Sequence, residues 1–154
     1  MSDKHGWNDW NQYFSIPQRC IENYLNHFVL DDQLTATPTK TQVQWKGTLY
    51  CRDGIEIVVR KLQLLESRHG RPHVRTIDYS YHVVRRTGGR TINLFRYDNV
   101  HPHPGHPTPH HYHAYTAEGN AVQPATHVGE EGWPTLSEVI EQAHQLWMSG
   151  QPST

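Results

Sequence analysis

The spacing of hydrophobic residues near the N-terminus predicts a helix. Hydrophobic side chains recur there at intervals of three and four residues, which places them on one helical face. Ser15 stands where an N-cap is expected and Pro17 falls in the first turn, so we expect the helix to begin there. The polar residues 31–40 are expected to end it. The hydrophobic face consists of Ile21, Tyr24, Leu25 and Phe28.

From Thr41 onwards hydrophobic and polar residues alternate, which is the pattern of half-buried β-strands. Turn sequences such as Asp53-Gly54 and Gly88-Gly89 separate the runs, and connections this short produce antiparallel neighbours. The sequence therefore predicts a four-stranded meander, to which residues 110–115 add a short fifth strand. The four longer strands are predicted over 41–51, 55–67, 74–86 and 91–97.

A second helical pattern follows near the C-terminus. Thr135 and Glu138 have the spacing of a capping box, with a hydrophobic stripe behind them. We therefore expect a single α+β domain over residues 1–154, in which an antiparallel four- to five-stranded β-meander carries an N-terminal and a C-terminal helix packed on it. Its parts are an N-terminal helical extension (1–40), the sheet (41–117, including a His-rich loop at 98–109) and the C-terminal helix (134–149).

The composition is that of a domain with a thin core. Hydrophobic residues make up 35% of the 154 residues, and the mean hydropathy is −0.78. The two cysteines form no CxxC motif, which favours a reducing compartment. The chain shows neither a signal-peptide pattern nor an apolar run of the roughly 20 residues that a membrane helix needs. We expect a cytoplasmic protein with no membrane partner.

Charge is distributed unevenly around a net value of −1. Residues 1–39 carry −3, residues 40–96 carry +8, and residues 97–154 carry −6. A basic sheet between acidic ends fits a surface that faces a polyanion, and it equally fits a solvated outer face. The cations near the Gly-Gly turn also suit a solvated hairpin tip. Under the polyanion interpretation the predicted substrate-binding residues are Arg75, Arg85, Arg86 and Arg90.

Histidine is concentrated in one short segment. Six of the thirteen histidines lie in residues 101–113, and the sequence Phe95-Arg96-Tyr97-Asp98-Asn99 stands just before this segment. Strand alternation puts Asn93, Phe95 and Tyr97 on one face and Arg96 on the other, and His111 shares a face with His113. Two strand ends are thus expected to meet across a proline-stiffened loop. His69, His73 and His82 are expected to lie away from this cluster.

One interpretation of the cluster is cleavage of RNA without a metal. That reaction needs a base for the 2′-hydroxyl, an acid for the 5′ oxygen and a cation for the phosphorane. His111 and His113 suit the acid–base pair, and the Arg96 guanidinium suits the phosphate. The remaining assignments are Tyr97 for substrate orientation, Asp98 for fixing a histidine tautomer and Asn99 for holding the strand-end turn.

Two other interpretations remain open. His111-x-His113 is a same-face pair typical of metal ligands, and a divalent ion such as zinc or nickel would complete its shell from Asp98, His106 and His110. The preferred interpretation requires no cofactor. A third interpretation is a compositionally biased loop that binds nothing.

The order of these motifs resembles the TumE family of bacterial toxin–antitoxin toxins. The resemblance rests on Arg96-Tyr97-Asp98-Asn99, His110-His111-x-His113 and Pro134-Thr135-Leu136, and covers roughly residues 41–148. It implies a toxin with a cognate antitoxin that carries a helix-turn-helix domain, and ribonuclease action on an RNA substrate. The first 40 residues precede the point at which the family region is expected to begin. The alternative hypothesis is a non-catalytic module that binds nucleic acid or protein. Such a module would be encoded in a mobile-element or defence operon.

Overall fold

The computed structural model describes residues 6–99, 110–116, 118–122, 126–128 and 133–150. Most of the predicted His-rich loop, including His106, lies outside these residues. The described helices are α1 (Trp10–Tyr24) and α2 (Leu136–Ser149). The strands are β1 (Asn8–Asp9), β2 (Val29–Asp32), β3 (Thr35–Pro38), β4 (Gln42–Cys51), β5 (Ile55–Arg68), β6 (Arg71–Thr87), β7 (Arg90–Asp98), β8 (His111–Ala114) and β9 (Thr126–His127).

The strands of the described residues form one antiparallel sheet, in the order β2-β4-β5-β6-β7-β8-β9. β1 pairs with β6 and β3 pairs with β4, which gives nine strands where four or five were predicted. The predicted α+β class and the central meander are confirmed. The hairpin at Asp53-Gly54 is confirmed too, since both residues adopt the positive φ that a tight turn requires, +57° and +75°.

The additional strands lie where the sequence is polar. β2 and β3 pair along successive parts of the outer edge of β4 and lie mostly in the polar segment 31–40, which was expected only to end the N-terminal helix. Most of their residues are exposed, so they lack the alternation by which a half-buried strand is recognised. Gly47 permits this close pairing, because a Cβ at this position would lie 2.2 Å from the Gln33 carbonyl oxygen.

α1 begins earlier than predicted. Its N-cap is Asp9, whose side chain accepts a hydrogen bond from the Gln12 N–H at 3.2 Å, and Ser15 therefore lies inside the helix. Pro17 is in the helix interior, where it is buried against the core. In contrast, the prediction for α2 is confirmed, because Thr135 and Glu138 form a complete capping box.

Both helices pack on the same side of the sheet, which we call the helix face. The inward side chains of the four long strands meet the helices there and form the core. The aromatic residues near the N-terminus join it, since Trp10 and Phe14 surround Trp45. No described helix covers the other side, which we call the open face. Alternation along the strands therefore decides which side chains lie on the open face, where a substrate or another molecule could contact them.

Candidate functional site

A bulge in β7 determines which side chains reach the open face. Val83 pairs with Phe95 but Val84 pairs with Asn93, so Leu94 is the additional residue. The bulge reverses the alternation on its N-terminal side and places Asn93 on the same face as Arg96. The prediction that Asn93 shares a face with Phe95 and Tyr97 is therefore wrong.

Three of the predicted site residues meet on the open face. Arg96 lies opposite His113, and Asp98 lies one pair further along the same two strands. Asp98 Oδ2 is 2.7 Å from Arg96 Nε and 3.3 Å from His113 Nε2. Arg96 Nη2 is also 3.4 Å from His113 Nε2. The contact at Arg96 Nε is an ion pair without good hydrogen-bond alignment.

This arrangement serves both protonation states of His113 Nε2. When Nε2 carries a proton it can donate to Asp98, and when it is bare it can accept from Arg96. The Asp98 side chain is 6% exposed, Arg96 is 33% exposed and His113 is 16% exposed. His113 and Arg96 are thus accessible, and both contact the buried carboxylate of Asp98.

Sequence reasoning missed His82, which was expected to lie away from the cluster. β6 places His82 directly opposite Arg96. His82 Nε2 is 2.9 Å from Asn93 Oδ1, and its ring stacks against Tyr115. Burial lowers the pKa of His82, and the hydrogen bond that its Nε2 donates to Asn93 Oδ1 opposes this shift. The charges of Arg96 and His113 lower the pKa further, whereas the charge of Asp98 raises it. Counting residue pairs from the turn between β6 and β7 places His82 opposite Arg96 only if the one-residue bulge is included in the count.

His110 and His111 are neighbours in sequence but lie on opposite faces. His110 is on the helix face, where Nδ1 is 3.1 Å from the Tyr79 hydroxyl and the ring stacks on Trp133 at 4.6 Å. His111 is fully buried and pairs with Asp98 across the strands. Of the two histidines predicted as an acid–base pair, only His113 is accessible to a large substrate.

The structure separates Tyr97 from the open-face site and places Asn99 at the end of β7. Tyr97 is on the helix face, and its hydroxyl donates to Gln142 Oε1 of α2 at 2.8 Å. It cannot orient a substrate bound beside Arg96, because the sheet lies between them. Asn99 bridges two strands at the end of β7, accepting from the Tyr79 N–H at 3.0 Å and donating to the Ile77 carbonyl at 2.8 Å.

The predicted substrate-binding arginines do not converge. Arg85 lies on the helix face because it pairs with buried Ile55, whereas Arg86 is held by Glu56 at 2.7 Å. Arg90 is exposed at the hairpin tip, six residues from Arg96 along β7, or about 20 Å at about 3.3 Å per residue. Arg75 is exposed towards the opposite end of β6.

Within the described parts of the chain, no three His, Cys, Asp or Glu side chains are placed to hold a metal ion. His110 faces away from the other proposed ligands, and His106 lies outside the described residues. Oxygen and imidazole ligands would still suit zinc or nickel chemically. The nearest approach to such a set is the pair Asp98 and His113.

The fold and site define a small α+β protein with a His–Arg–Asp cluster on the open face of an antiparallel sheet. The sequence profile of the family described as toxin TumE matches residues 17–145, most of the chain. The chain therefore belongs to the TumE toxin family, and membership implies a cognate antitoxin. No curated protein and no solved structure matches the chain.

The match corrects the expected start of the family region. It begins at Pro17, inside α1, and so includes most of the segment that was expected to precede the family. The part of α1 inside the match contributes Cys20 and Ile21 to the core of this chain, and α1 packs against α2. None of the described helices is both long and apolar enough to cross a membrane.

Proposed function

We propose that this toxin cleaves RNA on the open face of its sheet. The observation that carries the proposal is the contact of Asp98 Oδ2 with both Arg96 and His113, two accessible groups that suit phosphate binding and proton transfer. A guanidinium engages two phosphate oxygens at once, and an imidazole exchanges protons near neutral pH.

In this mechanism His113 takes the proton from a ribose 2′-hydroxyl as the 2′ oxygen attacks the adjacent phosphorus. The phosphorane carries additional negative charge, which the Arg96 guanidinium stabilises. The P–O5′ bond then breaks, and the imidazolium returns its proton to the departing 5′ oxygen. Asp98 stabilises the imidazolium and fixes the ring. The products are a 2′,3′-cyclic phosphate and a 5′-hydroxyl.

The proposed partners are an RNA substrate and an antitoxin with a helix-turn-helix domain. The proposed chemistry uses side chains alone. Protein purified without a histidine tag is incubated with cellular RNA, with and without Zn²⁺, Ni²⁺ or a chelator, and the product ends are analysed. We expect cyclic phosphates that persist in the chelator. RNA left intact under all conditions would contradict the proposal, and cleavage only with a metal would replace it by the metal-dependent alternative.

A further inference from the structure

We propose that the RNA backbone approaches the site along a row of residues that crosses the open face and begins at Lys46 and Arg60. This inference rests on the proposed function and adds the path of the substrate. The pairing registers place one residue from each strand on the same line: Lys46 opposite Arg60, Arg60 opposite Ser80, and Ser80 opposite Asp98.

The row begins with two cations, Lys46 and Arg60, directly opposite each other on neighbouring strands, which is an unusual arrangement in a sheet. Like charges directly opposite each other on neighbouring strands are destabilising. Lys46 and Arg60 are both exposed, and neither forms an ion pair with a described residue. By comparison, Glu56 neutralises Arg86 at 2.7 Å. A bound anion would relieve the repulsion between Lys46 and Arg60.

The surface around these cations is concave and open. A depression of about 450 Å³ lies over the middle of the sheet, and its open-face lining includes Gln44, Lys46, Arg60, Leu62, Asp78 and Ser80. One side of it is acidic through Asp78, so the cations mark the side that favours phosphate.

The row leads directly to the proposed chemistry. Ser80 links Arg60 to Asp98, which contacts Arg96 and His113. With about 4.8 Å between neighbouring strands, Lys46 lies about 14 Å from Asp98 along the row. That length suits a few nucleotides of a single strand, whose phosphates the cations would bind without reading sequence.

The test measures binding separately from cleavage. A fluorescent single-stranded RNA is titrated with a His113→Gln variant across a series of salt concentrations. Adding Lys46→Ala and Arg60→Ala is expected to weaken binding and to make the salt slope shallower by about 1.4, because each single-strand phosphate contact contributes about 0.7. Arg19→Ala with Lys40→Ala is the matched control, since it removes the same charge from exposed positions outside the row.

The row is supported if only the Lys46 and Arg60 pair changes the slope, even if the wild-type protein cleaves no RNA. The inference is overturned if both pairs act equally, because that result would reflect net charge alone. It is also overturned if the chain binds no RNA, or if the row variants lose antitoxin binding and keep RNA binding.

Discussion

The two faces of the sheet carry similar residues for different purposes. On the helix face, the His110 ring stacks on Trp133 and the Tyr97 hydroxyl donates a hydrogen bond to Gln142. These side chains therefore stabilise the packing of the core. On the open face, Arg96 and His113 remain accessible around a buried carboxylate. Residue type alone does not distinguish these roles, because adjacent residues of one strand point to opposite sides. The face on which a histidine lies determines what it can do.

The largest expected effect is on activity, at the open face. His113→Gln removes the proton-transfer group and is expected to lower RNA cleavage by about 10²–10⁴-fold. The fold should be retained, because His113 is a partly exposed residue of a short strand. Cleavage rates and thermal unfolding of the same preparations test this. An active His113→Gln enzyme would remove His113 from the mechanism.

The second effect is on stability, at the helix face. His110→Ala removes a ring that is only 6% exposed and stacked on Trp133, together with its hydrogen bond to Tyr79. We expect a loss of about 2–4 kcal/mol in the free energy of unfolding, measured with urea. Cleavage per folded molecule should not change. A loss of activity without loss of stability would place His110 in the site after all.

The third effect separates two ion pairs of the same length. Asp98→Asn removes a buried carboxylate from Arg96 and should cost about 1–3 kcal/mol, reduced by the exposure of the guanidinium. Glu56→Gln breaks a pair with Arg86, which is 58% exposed, and should cost less than about 1 kcal/mol. Urea unfolding of both variants measures the difference. Equal losses of stability would mean that the burial of Asp98 does not make its ion pair stronger than the pair of Glu56 with the exposed Arg86.

The smallest effect is a pH dependence from one histidine on each face. Burial lowers the pKa of His82 on the open face and of His144 on α2, where His27 adds to the effect. Below the ordinary value of 6.5 the unfolded chain therefore takes up protons that the folded chain does not. Stability contributed by these residues is present above that pH and is lost as the pH falls.

Unfolding in urea at several pH values between about 7.5 and 5 measures this dependence. The double variant His82→Gln, His144→Gln should lose less stability on acidification than the wild type does. An unchanged slope would show that neither ring is protected from protonation in the folded state.

Sequence patterns predicted the regular part of the fold well. The hairpin at Asp53-Gly54 and the capping box at Thr135 follow from local chemistry, so they could be read directly. The edge strands β2 and β3 could not, because exposed edge residues need not alternate. The start of α1 was misread because Ser15 competes with Asp9 as an N-cap, and only the observed bond to Gln12 decides between them.

The site was predictable as far as alternation held. The separation of Arg96 from Tyr97 follows from the period of two and agrees with the structure. Asn93 and His82 were misplaced because a one-residue bulge changes both face and register. The row through Lys46 and Arg60 depends on long-range pairing, which no local pattern contains.

The most direct test of the account compares two adjacent residues of β7 in living cells. Arg96→Ala alters the open face, and Tyr97→Phe removes only the hydroxyl that bonds to Gln142 on the helix face. Each variant is expressed without antitoxin, and growth and soluble protein are measured. We predict that Arg96→Ala abolishes growth arrest at normal protein levels while Tyr97→Phe retains it. Growth arrest that survives Arg96→Ala and disappears with Tyr97→Phe would contradict the assignment of toxicity to the open face.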